Sequence, residues 1–166
     1  MPLPLETAQA VYRKKSQYGR YIDTKQWDKF SEVALPNAKL SFHNRDGSVL
    51  KAGKRHLTFS SSQEFTMFFS KFFANAQSLH IFGPGDLEQT ADDEVTAIWG
   101  MEDQIILKGS AGLVEMRGGG YYFETWKKVG DDWFLASLGL ERTYQKISFL
   151  GRFIMFLETC LGVSFV

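Results

Sequence analysis

The sequence predicts an α+β fold: a cone-shaped α+β barrel in which N-terminal helices pack on a strongly curved, mostly antiparallel sheet. Three observations carry this. Up to about residue 75, apolar residues recur mainly at helical spacing, and beyond it they alternate with period two. The alternating part is divided by turn-forming clusters, Gly83-Pro84-Gly85, Asp92-Asp93, Gly109 to Gly112 and Gly130-Asp131-Asp132. With 166 residues the chain suits one domain.

The first helix presents Val11, Tyr18 and Ile22 on one face, with Arg13, Lys14, Lys15 and Gln17 mostly off it. Asp23 and Gln26 have the spacing of a capping box, which ends that helix near Ile22 and starts a short second one. The second helix carries Trp27, Phe30 and Val33 and stops before Pro36. Ala38, Leu40 and Phe42 alternate with polar residues, as in a strand, and Arg45-Asp46-Gly47 makes a turn. Ser61 and Glu64 form a second capping box. Behind it Phe65, Phe68, Phe69, Phe72 and Phe73 fall on one helical stripe. Strands are expected over 78–82, 86–90, 94–108, 112–128 and 132–145. Residues 1–146 form the barrel, and the apolar stretch 147–166 is expected as a C-terminal helix or tail packing on the barrel or an interface. Arg152, Glu158 and two glycines interrupt that stretch, which makes a membrane span a poor reading.

Composition narrows the function. Nineteen basic residues balance nineteen acidic ones, which leaves no electrostatic footprint for nucleic acid. The single cysteine, Cys160, excludes an internal disulfide, and with no apparent secretory signal a cytoplasmic location is expected. Fifteen Phe, six Tyr and four Trp exceed the needs of a minimal core, so either the core is unusually aromatic or the fold encloses an aromatic pocket. His43, His56 and His80 lack metal-ligand spacing, and no metal or cofactor is expected. Gly118-Gly119-Gly120 lies within strand patterning, not between a strand and a helix, so it is no phosphate loop.

Two charges stand on apolar faces. Asp103 shares one with Val95, Ala97, Trp99, Met101, Ile105 and Leu107. Arg142 shares another with Phe134, Ala136, Leu138, Leu140 and Tyr144. An unpaired ion there is costly, so the two either pair with each other or line a polar-tipped pocket, and both can hold at once. His80 stands in a short apolar strand, where a hydrogen-bonded core histidine and a catalytic one are both open readings.

From about Tyr12 to Tyr144 the chain resembles the SnoaL-like family of the nuclear transport factor 2-like superfold, in its scytalone dehydratase and bile-acid dehydratase branch. The resemblance rests on six segments in order: Tyr18 to Asp28, Leu35 to Phe42, Ser78-Leu79-His80, Ile98 to Asp103, Gly119 to Lys128, and Asp132 to Arg142. It implies an active site inside the cone, with Asp23 and His80 as the catalytic Asp–His pair, Tyr18 as a polarising phenol, and Asp103 and Arg142 as further polar groups. Phe42 stands where these dehydratases carry a tyrosine, Ile22 where the scytalone enzymes carry another, and their second histidine is absent near Ile105. Scytalone is therefore not the expected substrate.

The expected activity is cofactor-free proton abstraction beside a carbonyl, leading to dehydration or isomerisation. The substrate class is a bulky polyketide, terpenoid or steroid-like molecule. Phe42, Phe69, Phe73, Trp99 and Tyr122 are expected to line the pocket. A cyclase of the same family and a non-catalytic binding module stay open as alternatives. The resemblance also implies a homodimer or homotrimer.

Overall fold

The computed structural model describes residues 3–154. Helix α1 spans Leu5–Asp23 and buries Val11, Tyr18 and Ile22, the expected face. Lys14 and Lys15, expected off that face, are buried as well. The helix lies across the sheet, so its covered arc is wider than one stripe, and each lysine meets a carboxylate there. At its end, Gln26 N–H donates back to the Tyr21 carbonyl at 2.8 Å, and Lys25 adopts a left-handed backbone, φ 60°. The second helix is a single 3-10 segment, Trp27–Glu32. Its N-cap is Gln26, with no side-chain cap, so the capping box expected at Asp23 does not form.

Strand β1, Ala34–His43, begins earlier than expected and contains Pro36. The proline is tolerated because pairing with β8 is irregular between Ala34 and Lys39. Three two-residue strands follow, β2 (Lys51–Ala52), β3 (Arg55–His56) and β4 (Thr58–Phe59). Helix α2, Ser62–Phe72, starts as expected: Ser61 Oγ accepts the Glu64 N–H at 3.1 Å. The Glu64 carboxylate accepts from the Ser60 N–H and hydroxyl, both at 2.9 Å. Phe65, Phe69 and Phe73 are buried, while Phe68 and Phe72 flank the core.

The two strands expected over 78–82 and 86–90 are one, β5, Ala76–Ala91. Gly83-Pro84-Gly85 shifts the register without breaking the strand. The Tyr12 hydroxyl pins this bulge, accepting the Gly85 N–H at 3.0 Å and donating to its carbonyl at 2.9 Å. β6 (Glu94–Leu107), β7 (Glu115–Val129) and β8 (Asp132–Ile147) complete the sheet. β7 begins later than expected because the chain before it folds into turns, closed by Leu107 N–H donating to the Val114 carbonyl at 3.0 Å.

The six-stranded sheet has the order β4-β1-β8-β7-β6-β5, antiparallel throughout except for the parallel β1–β8 pair. This is the expected α+β architecture, with the helices on the inner face of a curved sheet. Residues 149–154 are helical, and the Ser148 N–H donates to the Glu115 carbonyl at 3.0 Å, turning the chain over the start of β7. The rest of the expected C-terminal helix or tail lies outside the described residues. Among those described, no helix is long and apolar enough to cross a membrane.

Candidate active site

Helix α1 ends one residue beyond Ile22, which turns the Asp23 carboxylate toward β5. One carboxylate oxygen accepts from His80 Nδ1 at 2.7 Å and from the Ser78 hydroxyl at 2.8 Å. The other accepts the His80 backbone N–H at 2.8 Å. Burial pushes the Asp23 carboxyl up, but the His80 ring, the His80 N–H and the Ser78 hydroxyl together outweigh it and hold the group below its ordinary value. An ionised Asp23 makes Nδ1 the protonated nitrogen, so in the neutral ring Nε2 carries the lone pair. The His80 side chain is 6% exposed, which places it at the margin of accessible space.

His80 and Asp103 are register partners on β5 and β6, so their side chains project side by side from the inner face. Asp103 in turn faces Gly118 on β7, and the Arg142 guanidinium from β8 lies over that glycine. Arg142 donates to both Asp103 oxygens, at 2.9 and 2.6 Å. A Cβ at Gly118 would stand 2.7 Å from the Arg142 Nη1, and one at Gly120 would stand 2.1 Å from the Glu141 carbonyl. The glycine run thus lets an arginine cross β7 flat against its backbone. His80, Asp103 and Arg142 form a polar row across the sheet. The Arg142 Nε is buried with no hydrogen-bond partner among the described residues.

Tyr18 and Tyr122 are both buried and pack on each other, with ring centroids 6.1 Å apart. Burial, then the neighbouring Tyr122 and Glu124, push the Tyr18 phenol well above its ordinary value. Burial and then the Asp103 charge raise Tyr122. Both phenols therefore stay protonated, as hydrogen-bond donors. Phe73 meets the His80 ring edge-on at 6.2 Å, and Phe82 stacks on it at 6.5 Å. Phe42 and Phe69 pack on each other at 5.6 Å, one aromatic layer behind Phe73. Trp99 on β6 is the register partner of Tyr122. It faces Tyr12 at 4.9 Å, and its indole N–H donates to Glu124 at 2.7 Å.

Glu124 belongs to a second buried group that the sequence reading missed. Its carboxylate also accepts from the Trp126 indole at 3.0 Å and from the Lys15 ammonium. Lys15 stands 3.9 Å from the Tyr122 ring centroid, 4.2 Å from Phe82 and 4.6 Å from Tyr18. Burial lowers its pKa, and the Glu124 charge opposes the shift. Glu124 shares one face of β7 with Tyr122 and Trp126, but Tyr121 and Phe123 make the other face aromatic too, so alternation did not mark it. Lys15 gave no signal either, because lysine at its position fits a solvated helix face. Among the described residues no group of acidic, histidine or cysteine side chains is arranged to hold a metal ion.

A curved sheet with helices on its inner face and an Asp–His pair at the margin defines a helix-covered cone with an interior polar site. Residues 4–139 match the SnoaL-like domain, and the chain belongs to the SnoaL-like family. It is 45% identical over 147 residues to a Gibberella zeae protein named probable cyclase FGR4, covering 89% of this chain and 98% of that one. Among solved structures, it resembles the Kfla4162 protein of Kribbella flavida with a TM-score of 0.73 at 17% identity, over 87% of this chain and 96% of that one. It also resembles a Novosphingobium aromaticivorans protein named as a candidate scytalone dehydratase. That TM-score is 0.71 at 12% identity, over 86% of this chain and 87% of that one. At these identities the two structures speak for the fold.

Proposed function

We propose that the protein is a cofactor-independent acid–base enzyme that removes a proton next to a carbonyl of a bulky apolar polyketide, terpenoid or steroid-like substrate in secondary metabolism. The observation that carries this is the Asp23–His80 pair: a carboxylate that accepts three hydrogen bonds fixes the imidazole and leaves Nε2 as the nitrogen with the lone pair. Membership of the SnoaL-like family and the cyclase relative support an enzyme.

In this reading His80 Nε2 takes the α-proton, and the electron pair moves onto the carbonyl oxygen. Tyr18 or Tyr122 donates a hydrogen bond to that enolate, in surroundings dry enough to strengthen it. The imidazolium then returns its proton to a departing β-hydroxyl, releasing water and leaving an enone. Return of the proton to a different carbon gives isomerisation. Asp103 holds Arg142 beside the developing negative charge. Ring closure by the same enolate on a second carbonyl is the alternative that the cyclase relative favours.

The test is a panel of bulky β-hydroxy ketones, with enone formation followed by absorbance. His80→Ala should lower turnover by ~10²–10⁴-fold, the usual worth of a general base, with binding retained. A variant that turns over at the wild-type rate excludes His80 as the base, and a wild type that only binds would be a binding module. We further propose a homodimer or homotrimer in the cytoplasm. The outer sheet face, with Leu79 and Ile81 58% exposed and Phe123 42% exposed, offers the apolar surface for assembly.

A further inference from the structure

Lys25 occupies a position that normally belongs to glycine. The Gln26 N–H bond to the Tyr21 carbonyl makes residue 25 the left-handed residue that closes helix α1, and its φ is 60°. A side chain at that φ is a standing cost, so a lysine there calls for a reason in what its side chain reaches. The ammonium reaches back over the site. It donates to the Asp23 carbonyl and to the Ser78 hydroxyl, each at a long 3.3 Å, and lies 5.0 Å from the Phe73 ring centroid. Ser78 shares an Asp23 oxygen with His80 Nδ1, and Phe73 meets the His80 ring edge-on.

The ammonium is without a carboxylate partner among the described residues. The nearest carboxylate, Asp23, is committed to the Ser78 hydroxyl and to the His80 backbone N–H and Nδ1. A second cation, Lys108 in the turn just after β6, donates to the carbonyl of Ala74, the residue after Phe73, at 3.1 Å. Burial and the Lys108 charge both depress the Lys25 ammonium, and Asp23 only partly offsets them. Two cations thus stand at the edge of a site whose two acids, Asp23 and Asp103, are already satisfied.

We propose that Lys25, seconded by Lys108, binds a carboxylate carried by the substrate and so orients it over His80. This rests on the acid–base reading of the site and adds the substrate's chemical class: a bulky apolar skeleton bearing one anionic group. The competing role is structural, with the ammonium merely neutralising the carbonyl end of α1.

The experiment compares 2-naphthylacetate with its uncharged amide, measuring both dissociation constants by calorimetry on wild type, Lys25→Gly, Lys25→Met and His80→Ala. The expected wild-type result is binding of the acetate at least tenfold tighter than the amide. That ratio should fall to about one in both Lys25 variants and persist in His80→Ala. Lys25→Gly should also raise the thermal midpoint, because glycine relieves the left-handed backbone. Absence of acetate binding to wild type, an unchanged ratio in Lys25→Gly, or a lowered midpoint for that variant would each overturn the assignment, the last by making Lys25 a structural cap. The two readings separate cleanly. Loss of enone formation in His80→Ala with an unchanged ratio in Lys25→Gly defeats only the anion site. The reverse pattern defeats only the acid–base reading.

Discussion

At the scale of single residues, the interior is organised by charges that each need a partner. Lys15 and Glu124 illustrate the cost of removing one. Lys15→Met leaves a fully buried carboxylate with two indole donors and no cation, and is expected to destabilise the fold by ~3–5 kcal/mol in denaturant melts. Lys15→Met with Glu124→Gln removes both charges and should recover most of that loss. If the double variant is as unstable as the single, charge is not what Lys15 supplies. Gly118→Ala acts on the other pair. Its Cβ would meet the Arg142 guanidinium, so the Arg142–Asp103 bridge must shift, at a cost of ~1–3 kcal/mol. The sequence revealed Asp103 and Arg142 because each stands as a charge on an otherwise apolar face. It hid Glu124 because both faces of β7 are aromatic there, with Tyr121 and Phe123 on the outside, so alternation cannot say which side is buried.

At the scale of elements, helix boundaries with local chemistry were legible and those set by tertiary contacts were not. Ser61 and Glu64 mark the start of α2 because their hydrogen bonds are local. Ser61→Ala is expected to cost ~1 kcal/mol, read as a lower denaturation midpoint at unchanged slope. Asp23 and Gln26 have the same spacing, but the Asp23 carboxylate has better donors in Ser78 and His80, 55 and 57 residues away in sequence. A long-range contact outcompeted the local cap and tied Asp23 to β5. Gly83-Pro84-Gly85 misled for the same reason. The cluster has turn composition, but Tyr12 from α1 holds it within β5 as a bulge.

At the scale of the whole molecule, the curved sheet brings residues from α1, β5, β6 and β8 to one interior region. The fold class was legible because strand alternation persists over most of the chain. The pairing of β1 with β8 in parallel was not, since nothing local encodes which strand lies beside which. The Asp23 carboxyl is depressed in the folded chain, so its contribution to stability is present above the unfolded carboxylate value, ~3.9, and is lost as pH falls through the lower folded value. Unfolding free energy followed from pH 5 to pH 2 should therefore fall more steeply in wild type than in Asp23→Asn. Assembly belongs to this scale too. On the proposed homo-oligomer, Phe123→Glu on the outer sheet face is expected to shift sedimentation toward monomer, and a wild type that already sediments as monomer would overturn that proposal.

In the proposed function His80, held by Asp23, moves a proton on carbon. The most direct measurement is deuterium exchange into a bulky cyclic ketone in D2O, followed by proton NMR, for wild type, His80→Ala and Asp23→Asn. Wild type should exchange the hydrogens next to the carbonyl well above the buffer rate. His80→Ala should fall to the buffer rate, and Asp23→Asn should lie between. Exchange that is equally fast in wild type and His80→Ala, or absent from wild type across a panel of such ketones, would contradict this function.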